Sequence, residues 1–94
     1  MYILKVFTKN KETFSSWILT AFDYILEKQV DLINFSIGGL DFTDDIFKEK
    51  IRTFINRGTV FIAAVGNDGP YFGTVNTPAD MLEVISVGGL GIDG

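Results

Sequence analysis

The stretch that most constrains this chain is AAVGNDGP at residues 63–70. It completes an uninterrupted apolar run, residues 60–65, bounded by Gly58 and Gly66, which predicts a strand buried on both faces. Asn67 then follows the carboxyl end of a central parallel strand, where ligands bind in open α/β sheets. Its side-chain amide, flanked by small residues, can donate a hydrogen bond into such a crevice. The sequence therefore predicts a site at Asn67.

Four β-rich runs alternate with helical patterns along the chain. The expected strands are residues 2–7, 32–37, 59–65 and 81–87, and the composition of residues 69–78 indicates a loop. The order β-α-β-α-β-loop-β predicts an α/β fold with a parallel sheet and right-handed crossovers. No internal repeat, low-complexity tract or linker interrupts residues 1–94, so we expect one unit.

Two helices are predicted from apolar residues at helical spacing. The first carries a stripe from Phe14 to Leu26, ends near Gln29, and has Thr13 or Ser15 as its expected N-cap. The second is expected to begin at the N-cap Thr43, with acidic residues in its first turn, and to end at Arg57-Gly58. Its acidic first turn is Asp44 and Asp45, and its expected buried stripe is Phe47, Ile51, Phe54 and Ile55.

Composition excludes several classes of function. The formal charge of −4 and the absence of a Lys/Arg cluster argue against a nucleic-acid surface. No apolar stretch reaches the ~20 residues of a membrane span. The start of the chain lacks a signal-peptide pattern and resembles the beginning of a strand, so we expect Met1 to be an internal or mispredicted start. The chain has no cysteine, so it indicates nothing about disulfides, and it has no histidine.

Other candidate chemistry is weaker. Ser36 is not an expected nucleophile, because no histidine can activate it and it does not stand in a Gly-x-Ser-x-Gly elbow. Asp41, Asp44 and Asp45 lack the alternating ligands and glycine of an EF-hand loop, so no metal site is predicted and a helix start is the simpler account. The terminal GLGIDG at residues 89–94 matches G-x-G-x-x-G after a strand, which leaves a nucleotide-binding α/β domain as a less favoured alternative.

Several segments, in the right order, resemble the subtilisin-like serine protease family. Residues 65–69, VGNDG, are similar to the family's oxyanion-hole segment, and residues 31–39, DLINFSIGG, follow a helix opened by Ser16-Trp17-Ile18 at the family's spacing. Residues 77–79, TPA, and 84–88, VISVG, resemble the next strand. Residues 66–80 are most similar to the membrane-bound site-1 protease branch. The resemblance covers nearly the whole chain but only the middle of the family's catalytic domain.

The resemblance implies a central segment of a three-layer α/β/α peptidase domain, with the catalytic Asp, His and Ser all outside residues 1–94. It implies a serine endopeptidase as the parent protein, with a peptide or protein substrate, and no activity for this chain alone. It assigns an oxyanion-hole role to Asn67. It further assigns peptide binding to Ser36, Ile37 and Gly38, the primary pocket wall to Ala64, Val65 and Gly66, and an outer subsite to Ser15 and Ile18.

Each of these assignments has a simpler structural alternative. Asn67-Asp68-Gly69 is also a common turn sequence, residues 36–39 also fit an ordinary strand end, and Ile18 also fits a helix core. A non-catalytic peptide-binding pseudoprotease remnant is the alternative function. No cofactor is expected here, although the resemblance allows calcium in a full-length parent. A secretory-pathway location is implied by the resemblance alone.

Overall fold

The computed structural model describes residues 1–39 and 45–93. It contains, in chain order, α1 (Ser15–Lys28), β1 (Leu32–Phe35), α2 (Asp45–Asn56), β2 (Val60–Ala64) and β3 (Ile85–Val87). Thr43 and Asp44, the expected start of the second helix, lie outside the described residues, as do Asp41 and Gly94. The chain forms two compact units, Met1–Val30 and Asp31–Gly94.

The first unit consists of an irregular segment followed by α1. Residues 1–14 contain no strand, so the strand predicted at residues 2–7 is wrong for this structure. A β-rich composition gives only a preference for extended backbone, and a strand also requires a partner for its ladder. The segment instead turns at residues 8–12, where the Thr8 amide donates to the Glu12 carbonyl over 2.9 Å. The hydroxyl of Thr13 donates to the carbonyl of Val6.

Helix α1 matches its predicted extent but not its predicted cap. Phe14 occupies the N-cap position and provides no side-chain hydrogen bond, because its side chain has no polar atom. The hydroxyl of Thr13, one of the two expected caps, donates to Val6 instead. Gln29 ends the helix as predicted, and it does so in the left-handed conformation that glycine usually adopts at this position. Only Ile18 and Phe22 of the predicted stripe are fully buried. Phe14 and Trp17 remain exposed and stack edge to face, with ring centroids 4.9 Å apart.

The second unit is a three-stranded parallel sheet in the order β1-β2-β3. Leu32 is paired with Val60 and Phe35 with Ala63, while Ile62 is paired with Ile85. The parallel α/β architecture predicted from the sequence is therefore confirmed. All three strands are shorter than predicted. Residues 81–84 form turns ahead of β3, including a hydrogen bond from the Val84 amide to the Met81 carbonyl.

One face of the sheet carries the core. Phe35 of β1 lies between two other rings, with centroid distances of 6.0 Å to Phe47 of α2 and 5.8 Å to Phe61 of β2. Ile51 and Phe54 continue the buried face of α2. Gly58 adopts φ +88° and donates to the Ile55 carbonyl over 2.9 Å, so α2 ends at Arg57-Gly58 as predicted.

The opposite face of the sheet is largely exposed. Along β2 the side chains alternate between exposed or half-buried and fully buried, so the prediction of a strand buried on both faces is wrong for this chain. An apolar run shows that a strand can be covered on both faces, but coverage depends on the layers present. The exposed apolar residues on the strands are Leu32, Val60, Ile85 and Val87.

Candidate functional site

The candidate site lies at the carboxyl edge of the sheet. The three strands run parallel and end at Phe35, Ala64 and Val87, so the segments that follow them leave from the same edge. This edge is where crevices form in parallel α/β sheets. The sequence predicts Asn67 and residues 36–38 at this edge, and the parallel order brings their two strands side by side.

Asn67 lies three residues beyond β2, at a bend. Val65, two residues before the bend, is held on two sides, because its amide donates to the Val87 carbonyl over 3.0 Å and its carbonyl accepts from the Asn76 amide over 2.9 Å. Gly66 then turns the chain with φ +109°, a conformation that favours glycine. Asn67 is exposed, so its amide is accessible from solvent beside the strand end.

The segment after β1, residues 36–38, is largely accessible to solvent. Ser36 and Gly38 are exposed and Ile37 is half-buried. The Asn34 side chain reaches Ser36, with 3.4 Å between Nδ2 and Oγ. Gly39 pairs with Thr77 in an isolated antiparallel bridge. The segment is thereby fixed at one end.

Asn76 and Thr77 join these two segments, and the sequence patterns predict no role for either residue. Asn76 bonds to Val65 on the Asn67 side, and Thr77 pairs with Gly39 on the other side. Thr77 is 4% exposed, and its hydroxyl donates to Oδ2 of Asp80 over 3.2 Å. In the sequence, the glycines at positions 38 and 66 indicate that another group packs closely against the backbone there. They do not indicate which residue that group belongs to.

The remaining predicted wall and subsite residues have mixed accessibility. Ala64, Val65 and Gly66 are half-buried at the end of β2. Ser15 and Ile18 belong to the first compact unit, where Ser15 begins α1 and Ile18 is only 1% exposed. Burial of this kind favours the core alternative for Ile18 in this structure. The subsite role of both residues stays a prediction.

The charged groups with shifted pKa values lie outside this edge of the sheet, on α2 and the turn before β3. Hydrogen bonds to Glu49, first, and to Glu83 raise the pKa of Arg52. The pKa of Glu83 is lowered by its own backbone N–H and then by Arg52, whose Nε lies 3.3 Å from Oε1. These exposed groups form a surface ion pair and identify no acid or base for catalysis.

The described residues contain no metal-ligand cluster, no membrane-spanning helix and no helix after β3. Within residues 1–39 and 45–93, no three acidic, histidine or cysteine side chains group as metal ligands. No helix in the same ranges has the length and apolar character to cross a bilayer. Residues 88–93 form no helix after β3, and Gly94, the last glycine of G-x-G-x-x-G, lies outside the described residues. The nucleotide-binding alternative therefore has no helix N-terminus to support it in the described segment.

Comparison with known proteins agrees with the resemblance. The sequence model of Peptidase S8, the subtilase family, matches residues 1–92. Human "Membrane-bound transcription factor site-1 protease" is 44% identical over 90 residues, which cover 96% of this chain and 9% of that protein. "Subtilisin-like protease SBT6.1" of Arabidopsis thaliana is 42% identical over 93 residues, covering 99% of this chain and 9% of that protein.

A bacterial relative extends the comparison. "Major intracellular serine protease" of Bacillus subtilis (strain 168) is 32% identical over 81 residues, which cover 81% of this chain and 24% of that protein. The chain thus spans about a tenth to a quarter of the lengths of these relatives. The family match over residues 1–92, together with a relative that is 44% identical over 96% of this chain, shows that this chain belongs to the subtilase family of serine proteases.

Proposed function

We propose that this chain is a segment of the catalytic domain of a subtilisin-like serine endopeptidase, in which Asn67 supplies an oxyanion-hole donor. The observation that carries the proposal is the exposed position of Asn67 beyond the central strand β2, next to the glycine-ended segment after β1. The substrate is a peptide or protein. The catalytic Asp, His and Ser are contributed from outside these residues, and the chain alone is inactive.

The reaction requires a hydrogen-bond donor that stabilises the transition state more than the bound substrate. When a serine oxygen attacks a peptide carbonyl, the carbonyl oxygen becomes an anion in the tetrahedral intermediate. A side-chain N–H held beside that position stabilises the developing charge more than the ground-state carbonyl, and so raises kcat. The two hydrogen bonds of Val65 and the turn at Gly66 support a fixed placement for Asn67.

The other assigned residues bind the peptide. The backbone of Ser36, Ile37 and Gly38 pairs with an extended substrate as an added strand, an arrangement that glycine does not obstruct. Ala64, Val65 and Gly66 form a wall of the primary pocket, and Ser15 and Ile18 border an outer subsite. The half-buried backbone at the end of β2 and the exposed segment after β1 support the first two assignments.

The experiment is an Asn67→Ala substitution in the full-length protein that contains this segment. We expect kcat toward a fluorogenic peptide to fall by about 10²–10³ with a much smaller change in KM, which is the loss known for the oxyanion-hole asparagine of a subtilisin. Asn56→Ala, at the exposed end of α2, is the matched control and should leave kcat unchanged. Equal kcat values for the two variants would refute the oxyanion role.

The flanking sequence distinguishes the pseudoprotease alternative from an active serine protease. The 94 residues contain no histidine, so the base of a Ser-His-Asp triad cannot come from this segment. Sequencing the transcript on both sides should reveal an upstream Asp and His and a downstream Ser in an open reading frame. A reading frame that lacks them but retains Asn67 and residues 36–38 would favour a peptide-binding remnant. Serine-inhibitor-sensitive turnover by the 94-residue chain would contradict the predicted inactivity.

A further inference from the structure

Asp68 directly follows Asn67, and the residue after it is a glycine in an open stretch of chain. Asp68 and Gly69 are both exposed, and Asp68 belongs to no helix, strand or turn. Among the residues that the structure describes, neither the carboxylate of Asp68 nor the amide of Gly69 has a hydrogen-bond partner. A Cβ built at Gly69 would have no neighbour within 4 Å. The side chain of Asp68 and the amide that follows it are therefore accessible to each other.

An aspartate beside an accessible glycine amide can form isoaspartate without an enzyme. The Gly69 nitrogen attacks Cγ of Asp68, the new N–Cγ bond replaces the Cγ–OH bond, and the hydroxyl leaves with the amide proton as water. Water then opens the resulting five-membered succinimide. Addition at Cγ restores aspartate, whereas addition at the main-chain carbonyl carbon of Asp68 leaves the chain running through Cβ and Cγ. Glycine favours the attack because it has no Cβ to hinder ring closure and its backbone is permissive.

Asp80, in the same compact unit, shows how an aspartate is protected from this reaction. Its Oδ2 accepts a hydrogen bond from the Thr77 hydroxyl over 3.2 Å. The next amide, that of Met81, donates to the Pro78 carbonyl over 3.1 Å. Both reacting groups are thus occupied, and Met81 carries a buried side chain where Gly69 has none. Asp68 is distinguished from Asp80 by its surroundings as well as by the glycine that follows it.

We propose that Asp68 is a site of spontaneous isoaspartate formation, and that the modification inactivates the protein by displacing Asn67. The effect on activity rests on the proposed function of Asn67, whereas the modification itself does not. Isoaspartate inserts Cβ into the main chain, which lengthens the chain by one C–C bond of about 1.5 Å. The hydrogen bond between Val65 and Asn76 closes the loop 66–75 at its base, so the added atom must be accommodated within the loop that contains Asn67. A misplacement of ~1 Å can lower a rate about 10²-fold.

The first test looks for the modification in the folded full-length protein. After prolonged incubation at body temperature and mildly acidic pH, a chymotryptic digest separates Asp68 from Asp80 by cleavage after Tyr71 and Phe72. The peptide with Asp68 should give a second chromatographic peak of unchanged mass, which accepts methyl groups from S-adenosylmethionine through a protein isoaspartate methyltransferase. Protein digested without incubation provides the baseline. Isoaspartate at neither position, or at equal levels in both, would overturn the proposal.

The second test removes each reacting partner in turn. Gly69→Ala places a methyl group in open space, and the φ of Gly69 lies outside the left-handed region, so alanine fits while hindering ring closure. Asp68→Glu keeps the charge but requires a six-membered ring, which forms less readily. During incubation both variants should lose kcat several-fold more slowly than the wild type, each relative to its own initial value. Asp31→Glu, at an exposed aspartate followed by leucine, is the matched control and should lose kcat as the wild type does. Equal rates of loss in all four proteins would overturn the inactivation.

Enzymatic repair connects the modification to activity. Methylation of the isoaspartate carboxylate in the aged wild type, followed by loss of methanol, re-forms the succinimide, and part of it hydrolyses to aspartate. The recovered kcat should follow the fraction of Asp68 regained. An aged protein that regains Asp68 without regaining kcat would overturn the inactivation.

The outcomes also separate this inference from the proposed function. If Asn67→Ala keeps its kcat, the oxyanion role and the inactivation both fail, while isoaspartate at residue 68 is still detected in the digest. If Asn67→Ala loses kcat and the aged wild type contains no isoaspartate at residue 68, the oxyanion role stands and this inference alone is overturned.

Discussion

At the scale of single residues, Gly66 is constrained twice. Its φ of +109° is a conformation that side chains of L-residues rarely adopt, and its missing Cβ leaves the space that the Asn76 amide occupies. Gly58, which ends α2, has φ +88° but no atom within 4 Å of a built Cβ. A side chain at either glycine would therefore strain the backbone. Only at Gly66 would the side chain also collide with a neighbouring residue.

This contrast gives a prediction for Gly66→Ala. Strain alone should cost about 1–3 kcal/mol of unfolding free energy in Gly58→Ala, and Gly66→Ala should cost more because the Asn76 side chain must also move. Urea denaturation of the full-length protein and its two variants provides the measurement. Similar urea midpoints for the two variants would show that the Asn76 side chain moves aside without a measurable loss of unfolding free energy.

At the scale of elements, α2 has one buried apolar face among the described residues. Phe47 is fully buried beside Phe35 of β1, whereas its neighbour Ile46 is 69% exposed. Removing a buried phenylalanine loses the transferred surface and leaves a cavity, while trimming an exposed isoleucine does neither. Position on the helix, rather than hydrophobicity, therefore decides what each residue contributes.

The corresponding prediction compares two neighbouring substitutions. Phe47→Ala should lower the unfolding free energy by about 3–5 kcal/mol. Ile46→Ala should change it by no more than about 0.5 kcal/mol. Chemical denaturation of the full-length protein tests both. A large cost for Ile46→Ala would mean that a further segment covers that face of α2.

A second prediction at this scale concerns the ion pair between α2 and the turn before β3. The pKa of Glu83 is lowered from its ordinary value of 4.5, by its own backbone N–H and by Arg52. A lowered folded-state pKa stabilises the protein above the unfolded-state value, and this contribution is lost as the pH falls through the folded-state pKa. Glu83→Gln should therefore flatten the acid side of the stability profile between neutral pH and the region below pH 4.5.

The contribution of the ion pair can be tested by raising the salt concentration. Both side chains are partly exposed, so the interaction is small and should weaken further at about 0.5 M NaCl, where screening is stronger. Because the backbone hydrogen bond of Glu83 is the larger cause of its lowered pKa, the wild-type and Glu83→Gln profiles should move closer together at high salt without converging. Full convergence would indicate that Arg52, rather than the backbone hydrogen bond, dominates.

At the scale of the whole molecule, the second unit has one covered and one exposed sheet face. Leu32, Val60, Ile85 and Val87 on the strands are each 42–54% exposed. Parallel sheets are normally covered on both faces, and exposed apolar faces and free strand edges promote association. The isolated 94-residue chain is therefore expected to be marginally stable and to associate.

This expectation can be measured on the purified chain. Size-exclusion chromatography should show species larger than a monomer at micromolar concentration, and the dye ANS should bind strongly. Replacing Val60 and Ile85 with threonine should reduce both signals, since the change makes the exposed face more polar while retaining β-branched side chains. A monomeric chain with cooperative unfolding and no ANS binding would contradict the prediction.

The sequence alone determined the class of fold and the location of the candidate site. Both helices and the glycine end of α2 follow from local periodicity and from φ preferences, which need no distant partner. The parallel order of three strands follows from the alternation of strands and helices along the chain. The position of Asn67 beyond a central strand follows in the same way. The sequence also indicated the family, because several short segments that resemble it appear in the family's order.

The tertiary structure decided those features that depend on residues distant in the sequence. Residues 2–7 have the composition of a strand and form none, since a ladder needs a second backbone. Burial of β2 on one face only, and the loss of Thr13 as a cap, likewise depend on which groups are nearby. Asn76 is the clearest case. Its fit between Gly38 and Gly66 joins residues that are far apart in the chain, and only the folded sheet edge brings them into contact.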